Sequence, residues 1–450
     1  MSSVSGASAG TTEQVQQKMP IRKVAWASAI GSTIEWYDFF LYGTAAALVF
    51  DAQFFPALNP TVGTIAAFST LTVGFLARPL GGVIFGHFGD KVGRRNTLIV
   101  SLLLMGVATT LIGALPTYAQ FGIWAPILLV TLRLVQGIGL GGEWGGAVVL
   151  TLEHAPKARR GFYGSFPQLG TPAGLILANG AFLGANALIG QEGFTTWGWR
   201  IPFLLSIILV AVGLYLRLHI QESPEFVTMS KKDKPKRAPV ATVVTAHWKS
   251  VLHATLVIVG NSTAAYIFMV YVLSYGAKTQ GLDKSFMLAC VIGGSAIWLV
   301  SVPFWASLTD RFGLRSLFVY GSVIRLLWCL VFFPVVNTGS EPLILVFMLS
   351  MGLVLSMTNA PIGTLTASFF PVDVRYSGTS VAYQIGSLLG GGVTPLIAAT
   401  LFATTSSSWS ITGYVLVISV LSLLASLAIP RNTGHDTDTA SARPSHAAAH

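Results

Sequence analysis

Long apolar stretches separated by short polar segments recur along the whole chain. A helix needs about 20 mostly apolar residues to cross a bilayer, and each of these stretches is long enough. The stretches are continuously apolar, whereas the strands of a membrane barrel alternate polar and apolar positions over about ten residues. The pattern therefore predicts an all-α integral membrane protein with twelve transmembrane helices. The predicted spans are 24–50, 62–87, 97–115, 123–152, 161–188, 199–220, 250–276, 286–308, 316–336, 342–369, 377–402 and 410–429.

The composition agrees with this interpretation, because 53% of the residues are hydrophobic and only 10% are charged. A soluble domain carries roughly 25% charged residues. Residues 1–23 and 431–450 are polar, and we expect two disordered cytoplasmic tails there. The first 20 residues lack the basic and apolar regions of a cleaved signal peptide. The basic segment 221–249 is predicted to be a cytoplasmic linker, with one six-helix bundle before it at 24–220 and another after it at 250–430.

The formal net charge of +10 is distributed in a way that indicates a membrane rather than a nucleic-acid partner. Most of the 27 Lys and Arg residues fall in loops on the side of both termini, and the opposite loops hold only Arg200, Lys278 and Lys284. Because positively charged loops stay in the cytoplasm, both termini are expected inside. We expect a multi-pass protein of a bacterial plasma membrane that contacts lipid and works as a monomer.

The two bundles carry matching motifs in the same order. GHFGDKVGRR (86–95) follows the second span, and ASLTDRFGLR (306–315) follows the eighth. A second match relates the fifth and eleventh spans, by the pairs Arg159 and Arg375, Gln168 and Gln384, Gly170 and Gly386, and Gly174 and Gly390. The sequence thus predicts two six-helix pseudo-repeats. Transporters built from parallel repeats place the substrate near the midplane, between the halves.

Several of these motifs resemble those of a known family. The loop 86–95 resembles the signature between helices two and three of the major facilitator superfamily, and RLVQGIGLGGEWGGA (133–147) resembles its fourth-helix motif. EWYDFFLYG (35–43), FLARPLGGVIFGHFGD (75–90) and ESPEF (222–226) are similar to the metabolite:proton symporters, a branch with carriers of proline and betaine, shikimate, 2-oxoglutarate and citrate. The resemblance implies the major facilitator fold and a cytoplasmic gating loop. It assigns this latch to Gly86, Asp90, Arg94 and Arg95, with Asp310 and Arg311 as a second copy in which Ala306 replaces the glycine.

Two carboxylates three residues apart, Glu35 and Asp38, lie in the first predicted span. Charged residues inside a membrane are rare and usually functional. Burial disfavours the charged form of a carboxylate, so such a group can take up a proton on one side and release it on the other. We therefore predict that Glu35 and Asp38 are the proton-coupling residues, without deciding which of them carries the proton. The alternative is a structural ion pair with an arginine of a neighbouring helix.

Buried cations provide candidate sites for an anionic substrate. Arg133 can hold a substrate carboxylate through a bidentate pair, or it can be the partner of Asp38 or Glu35. Arg78, and Glu143 with Trp144, are further candidates, for which a fixed interhelical salt bridge is the alternative. Tyr37, Tyr42 and Gln136 are predicted to line the same cavity, or else to form hydrogen bonds between helices.

Together these features predict a secondary active transporter that takes up a small carboxylated metabolite with protons by alternating access. The metabolite is expected to be shikimate-like, proline or betaine, or a dicarboxylate. We expect no cofactor and no metal, with the proton as the coupling ion. Two alternatives remain open: a proton-coupled exporter or antiporter of the same fold, and a membrane sensor that does not transport. A multi-pass enzyme is not expected, because the sequence shows no catalytic or metal-binding motif at a membrane face.

Overall fold

The computed structural model describes residues 20–92, 94–141, 143–219, 239–371 and 374–430, and these residues form helices and connecting segments without a β-strand. Twelve helical segments follow the twelve predicted spans, and we label them in chain order. The first half contains α1 (Ile21–Leu48), α2 (Pro60–Val92), α3 (Arg94–Ala114), α4 (Trp124–Leu140, continued by Glu143–His154), α5 (Phe166–Gly193) and α6 (Arg200–His219). The second half contains α7 (Trp248–Lys278), α8 (Lys284–Phe312), α9 (Leu314–Val336), α10 (Glu341–Ser368), α11 (Arg375–Thr405) and α12 (Ser408–Leu427).

Short helices occupy several of the connections, namely Phe50–Phe54, Tyr118–Phe121, Arg160–Gly164 and Pro239–Ala246. Residues 1–19 and 431–450 of the predicted tails and most of the predicted basic linker lie outside the described residues, so those assignments stay predictions. The last residues of the predicted first tail, from Ile21, already belong to α1.

The surface of the bundle is suited to lipid. Among the described residues, eight helices are long and apolar enough to cross a membrane, and shorter apolar helices occur at Ile99–Ala114, Trp124–Leu140 and Arg200–Tyr215. Large apolar side chains such as Leu76 and Val107 are about half exposed on the outside of the bundle. Such a surface is typical of contact with membrane rather than water. The described chain is therefore an all-α, multi-span membrane protein, as the sequence predicted.

Matched glycines hold the first and fifth helix of each half together. A Cβ atom at Gly170 of α5 would overlap with Ser32 and Thr33 of α1, and one at Gly386 of α11 would lie 2.8 Å from Ile258 of α7. Small residues at such positions let helix backbones approach closely. The same packing in both halves explains why the glycine spacing recurs in the sequence.

The helices run alternately up and down, so that α1 begins and α12 ends at one end of the bundle, which we call the terminal end. There, Arg315 at the start of α9 donates a hydrogen bond to the Leu427 carbonyl at the end of α12 (2.9 Å). The other end, where α1 ends and α12 begins, is called the opposite end.

The two halves touch along α2 and α11, and along α5 and α8. In the middle of the bundle, Thr72 Oγ1 of α2 donates to the Gly392 carbonyl of α11 (2.6 Å). At the opposite end, Lys278 Nζ of α7 forms a salt bridge with Asp51 and also donates to Thr64 Oγ1 (3.0 Å). The halves are thus held together both at the centre and at the opposite end.

Candidate functional site

Asp38 lies in the middle of α1 and is completely buried in the first half. Both of its carboxyl oxygens lack a hydrogen-bond partner among the described residues, although the hydroxyl groups of Thr109 on α3 and Ser206 on α6 lie close by. Buried polar groups nearly always have a hydrogen-bond partner, so a buried carboxyl group without one is unusual. A proton supplied from solution is the simplest way to neutralise it.

Arg133 and Gln136 of α4 lie next to Asp38. Arg133 is fully buried and donates to Gln136 Oε1, and its guanidinium stacks over the ring of Tyr42 at 4.1 Å. Gln136 Nε2 donates to Thr109 Oγ1 (2.7 Å) and contacts the Asp38 backbone carbonyl at 3.3 Å. Among the described residues, no salt bridge joins Arg133 to a carboxylate. Arg133 is therefore linked to the Asp38 region through Gln136 rather than through direct ion pairing.

A second cation, Arg78 of α2, lies where the two halves meet. Its guanidinium stacks over the rings of Phe39 and Phe75 at 4.3 and 4.2 Å. Tyr266 of α7 packs edge-on against the same two rings, with centroids 6.0 and 5.6 Å away. Tyr383 of α11 also lies within electrostatic range of Arg78. We call Arg78, Phe39, Phe75, Tyr266 and Tyr383 the central cage.

Glu35 is the carboxylate that belongs to this cage. It is one turn before Asp38 on α1, it is 5% exposed, and its charge acts on Arg78. The two carboxylates of α1 therefore have different surroundings: Glu35 lies near a cation between the halves, and Asp38 lies inside the first half.

Trp144 of α4 closes the cage toward the terminal end. Its ring stacks on Tyr383 with centroids 3.5 Å apart and planes 11° from parallel. One residue further along α11, Gln384 Nε2 donates to the Gly141 carbonyl of α4 (3.2 Å). Tyr266 Oη, Trp144 Nε1 and Gln384 Oε1 lack partners among the described residues. These polar atoms are available to a ligand that enters between the halves.

Two tyrosines predicted to line the cavity form hydrogen bonds inside the first half. Tyr37 Oη donates to the Pro202 carbonyl (2.8 Å), and Tyr42 Oη donates to Thr70 Oγ1 (2.6 Å). These contacts correspond to the interhelical alternative that the sequence left open. The side chain of Glu143 lies outside the described part of the structure.

Asp310, which the resemblance assigned to the second copy of the latch, joins the halves at the terminal end. Asp310, in the last turn of α8, accepts hydrogen bonds from the backbone N–H groups of Gly161 (2.8 Å) and Phe162 (3.1 Å). Both belong to the short helix before α5, so a carboxylate of the second half caps a helix of the first half. Arg311 is exposed. The side chains of Asp90, Arg94 and Arg95, and the surroundings of Gly86, lie outside the described part of the structure.

Sequence reasoning missed Thr109, Ser206 and Tyr383. Hydroxyl residues are common in these spans, and no spacing distinguishes the ones that face Asp38 or Arg78. Tyr383 does precede Gln384 in the repeated motif of the eleventh span, which is the one signal that could have identified it. Within the described residues, no group of three or more His, Cys, Asp or Glu side chains is arranged to hold a metal.

The chain has two helical halves, and buried charges and unsatisfied polar atoms lie between and inside them. This arrangement is typical of a membrane transporter of the alternating-access class. The family model of the Major Facilitator Superfamily matches residues 28–395. The chain belongs to this superfamily, and it is accordingly a transporter rather than an enzyme. The resemblance that the sequence motifs indicated is thereby confirmed.

Curated relatives fall in the expected branch. The chain is 40% identical to the inner membrane metabolite transport protein YhjE of Escherichia coli K12, over 96% of this chain and 99% of the relative. It is 40% identical to the shikimate transporter of the same organism, over 90% of this chain and 94% of the relative. The solved structure of the proton:xylose symporter XylE bound to 6-bromo-6-deoxy-D-glucose superposes with a TM-score of 0.71 over 92% of this chain and 97% of that one, at 17% identity. That likeness supports the fold.

Proposed function

We propose that the protein is a proton-coupled symporter that takes up a small carboxylated metabolite across a bacterial plasma membrane. The observation that carries the proposal is Asp38, a completely buried carboxyl group whose two oxygens have no partner among the described residues. The similarity to a shikimate transporter and to a metabolite transport protein supports a small metabolite as the substrate. We infer that the proton is the coupling ion and that no cofactor is required.

Asp38 is the proton carrier in this proposal, and Glu35 has a different role. A carboxyl group that lacks a cationic partner is most readily neutralised by a proton, because burial disfavours its charged form. Glu35 already acts on Arg78. It can therefore compete with the substrate for Arg78, so that Arg78 is held by Glu35 in the empty site and by a substrate carboxylate in the loaded one.

The substrate is expected to bind in the central cage. Arg78 can donate two parallel hydrogen bonds to a substrate carboxylate. Tyr266 Oη and Gln384 Oε1 can contact hydroxyl or amine groups on the rest of the molecule. A small polar acid with hydroxyl or amine substituents suits this combination better than a long apolar acid. Shikimate-like acids, proline and betaine, and dicarboxylates all remain within this class.

Alternating access follows from how the halves meet. The Asp51–Lys278 bridge ties them at the opposite end, and the Asp310 cap ties them at the terminal end. We infer that each tie breaks in turn, and that Gly86, Asp90, Arg94 and Arg95 complete the latch at the terminal end. From the basic loops we infer that this end, with both termini, lies in the cytoplasm. A single chain contains both halves, so we infer that the monomer transports.

The test is uptake of radiolabelled compounds by cells that lack their own carriers. The panel contains shikimate, proline, glycine betaine, 2-oxoglutarate, citrate and an aromatic acid, each with and without a protonophore. Sodium is replaced by choline in a parallel series. We expect accumulation of one class of acid that the protonophore abolishes and that choline does not change. Accumulation that rises with the protonophore would instead show an exporter, and binding without movement across the membrane would show a sensor.

A further inference from the structure

A completely buried arginine in the second half has no role in the site described above. Arg325 lies midway along α9 and is 0% exposed. Its Nη1 makes one long contact, 3.4 Å, with Asn261 Oδ1 of α7. Its Nε and Nη2 have no hydrogen-bond partner among the described residues. Since an arginine side chain stays protonated in proteins, this is a buried positive charge without a counterion there.

Within the described part of the second half, no carboxylate lies in the middle of a membrane-spanning helix. From residue 239 to residue 430 the only acidic residues are Asp283, Asp310, Glu341 and Asp373. Asp283 caps the start of α8, Asp310 is in its last turn, and Glu341 begins α10. Asp373 lies outside the described residues. The three described carboxylates are at helix ends, whereas Arg325 is in the middle of its helix. A counterion for Arg325 must therefore come from elsewhere.

Among the described residues, the acceptor that contacts Arg325 is shared with a second donor. A Cβ atom at Gly260 of α7 would lie 3.0 Å from Arg325 Nη2, so the glycine makes room for the guanidinium. Asn261 Oδ1 is already held by Thr358 Oγ1 of α10 (2.6 Å). Ser322, one turn before Arg325 on α9, is fully buried, and its Oγ lacks a partner among the described residues. Two guanidinium nitrogens and a hydroxyl group are thus unused at one place.

The residues around Arg325 lie on helices of the second half that correspond to the helices around Asp38 in the first half. The Asp38 cluster uses the first, third, fourth and sixth helices of the first half, through Asp38, Thr109, Gln136 and Ser206. The Arg325 cluster uses the first, third and fourth helices of the second half, through Asn261, Arg325 and Thr358. Ser422 of α12, the sixth helix, packs at Gly260 beside it. Among the described residues, the first half therefore contains a buried carboxyl group without a hydrogen-bond partner, and the second half contains a buried guanidinium without a carboxylate.

We propose that Arg325 is the cation of a binding site for one monovalent anion inside the second half, separate from the central cage. The ligand is a halide or the carboxylate of a small acid, because both are single negative charges that accept hydrogen bonds from a guanidinium. The neighbouring helices have places to bend and admit it: α7 contains a π-helical turn at Ile267–Tyr271, and α10 contains Pro361. If the proposed function holds, a proton neutralises Asp38 in the first half and an anion neutralises Arg325 in the second.

The test is thermal unfolding of the purified full-length protein in detergent, with the anion varied at constant sodium concentration. Sodium HEPES, whose sulfonate is bulky, is the reference, and it is replaced stepwise by chloride, bromide or acetate. A ligand that binds only the folded state raises the midpoint in a saturable way. For wild type we expect a rise of about 2 °C or more in at least one of these anions.

Three variants show whether Arg325 is responsible. R325Q and R325M should lose the response to the anion. R325M should not lower the midpoint in the reference buffer, since removing an uncompensated buried charge does not destabilise a protein. R315Q, at the partly buried start of the same helix, should respond like wild type. A loss of stability in R325M without any change in the anion response would show that Arg325 is only a packing element.

The remaining outcomes separate the sources of the ligand. A response to chloride and bromide alone identifies an inorganic anion, and a response to acetate identifies a carboxylate. Equal midpoints for wild type in all four solutions would overturn the proposal, and so would equal responses of wild type and R325Q. These measurements do not depend on transport, so an anion response without uptake would reject the proposed function and leave this site standing.

Discussion

Asp38 of α1 and Arg133 of α4 carry opposite charges in the core of the first half, yet Gln136 connects their surroundings and no ion pair joins them among the described residues. Arg133 donates to the Gln136 oxygen, and the Gln136 nitrogen contacts the Asp38 backbone carbonyl and donates to Thr109. A fixed salt bridge would hold Asp38 in its charged form. An amide between the two groups leaves the carboxyl group free to change its protonation state while Arg133 stays in place.

We propose that the pair Glu35 and Asp38 divides into two functions. Glu35 lies within electrostatic range of Arg78, where in this proposal a substrate anion replaces it. Asp38 faces the hydroxyl groups of Thr109 and Ser206 inside the first half. Since both residues are on one helix, a change at one of them can be transmitted to the other by a small movement of α1.

Replacing Asp38 with asparagine should separate transport from its driving force. D38N keeps the size of the side chain and removes the charge change, so accumulation against a gradient should be lost. Exchange of labelled for unlabelled substrate should continue, because it needs no net proton movement. Counterflow in proteoliposomes measures this, with E35Q as the matched variant one turn away. We expect E35Q to alter the apparent substrate affinity while accumulation still responds to the proton gradient, and the reverse pattern would assign the proton to Glu35.

Replacing Arg78 should weaken substrate binding. A hydrogen bond to a charged group contributes about 1.5–3 kcal/mol, so R78Q should raise the Kd about 10- to 100-fold. R78K should recover little, because a lysine cannot form the bidentate pair or stack as a planar group on Phe39 and Phe75. Binding of the identified substrate to purified protein gives these values. R200K is the control, since Arg200 also stacks on an aromatic ring, that of Trp199, but lies outside the interface. An unchanged Kd in R78Q would place the substrate elsewhere.

The sequence predicted the helices well, because long apolar runs have few alternatives in a bilayer. All twelve spans coincide with helices, and the pairing of Gly170 with Gly386 correctly indicated equivalent packing in the two halves. Depth along a helix could also be predicted from the rise per residue, which is why Glu35, Asp38 and Arg133 were recognised as buried.

What the sequence could not provide was the direction in which each side chain points. Glu35 and Asp38 are one turn apart and were treated as a pair, yet their surroundings differ because α1 meets other helices of its half and the second half at different heights. Tyr37 and Tyr42 are aromatic residues with a hydroxyl group, which suits a cavity. Their hydroxyl groups nevertheless form hydrogen bonds within the first half. Tyr383 was marked only by its position next to Gln384 in the repeated motif. These outcomes depend on contacts between helices far apart in the chain.

The Asp51–Lys278 bridge should control opening at the opposite end. D51N removes the charge of the acceptor, and a partly exposed salt bridge contributes up to about 1 kcal/mol. The population open at this end should therefore increase up to about fivefold. Spin labels on the α1–α2 and α7–α8 connections would show longer distances in D51N. D283N is the control, because Asp283 caps α8 within its own half. If the two variants give identical distances, the bridge is not a gate.

The Asp310 cap should act in the opposite sense at the terminal end. Its carboxylate accepts from two backbone N–H groups, and a negative charge at a helix N-terminus contributes about 0.3–1 kcal/mol. D310N weakens this tie, so the terminal end should open more often. A cysteine introduced at exposed Phe312 and one on the opposite end can be labelled with a water-soluble thiol reagent. D310N should speed labelling at the terminal end and slow it at the opposite end, and D51N should do the reverse. Parallel changes at both ends would contradict alternating access.

Adding one methyl group at the matched glycines should test the packing of the first and fifth helices in each half. G170A would push α5 away from Ser32 and Thr33, and G386A would push α11 away from Ile258. Overpacking of this kind costs about 1–3 kcal/mol, so both variants should unfold at lower temperature than wild type. G180A provides the matched control on α5, because nothing lies within 4 Å of a Cβ atom there. It should unfold at the wild-type temperature or slightly above, since alanine favours a helix over glycine. Equal midpoints for G170A and G180A would show that α1 and α5 are not held together by this close contact.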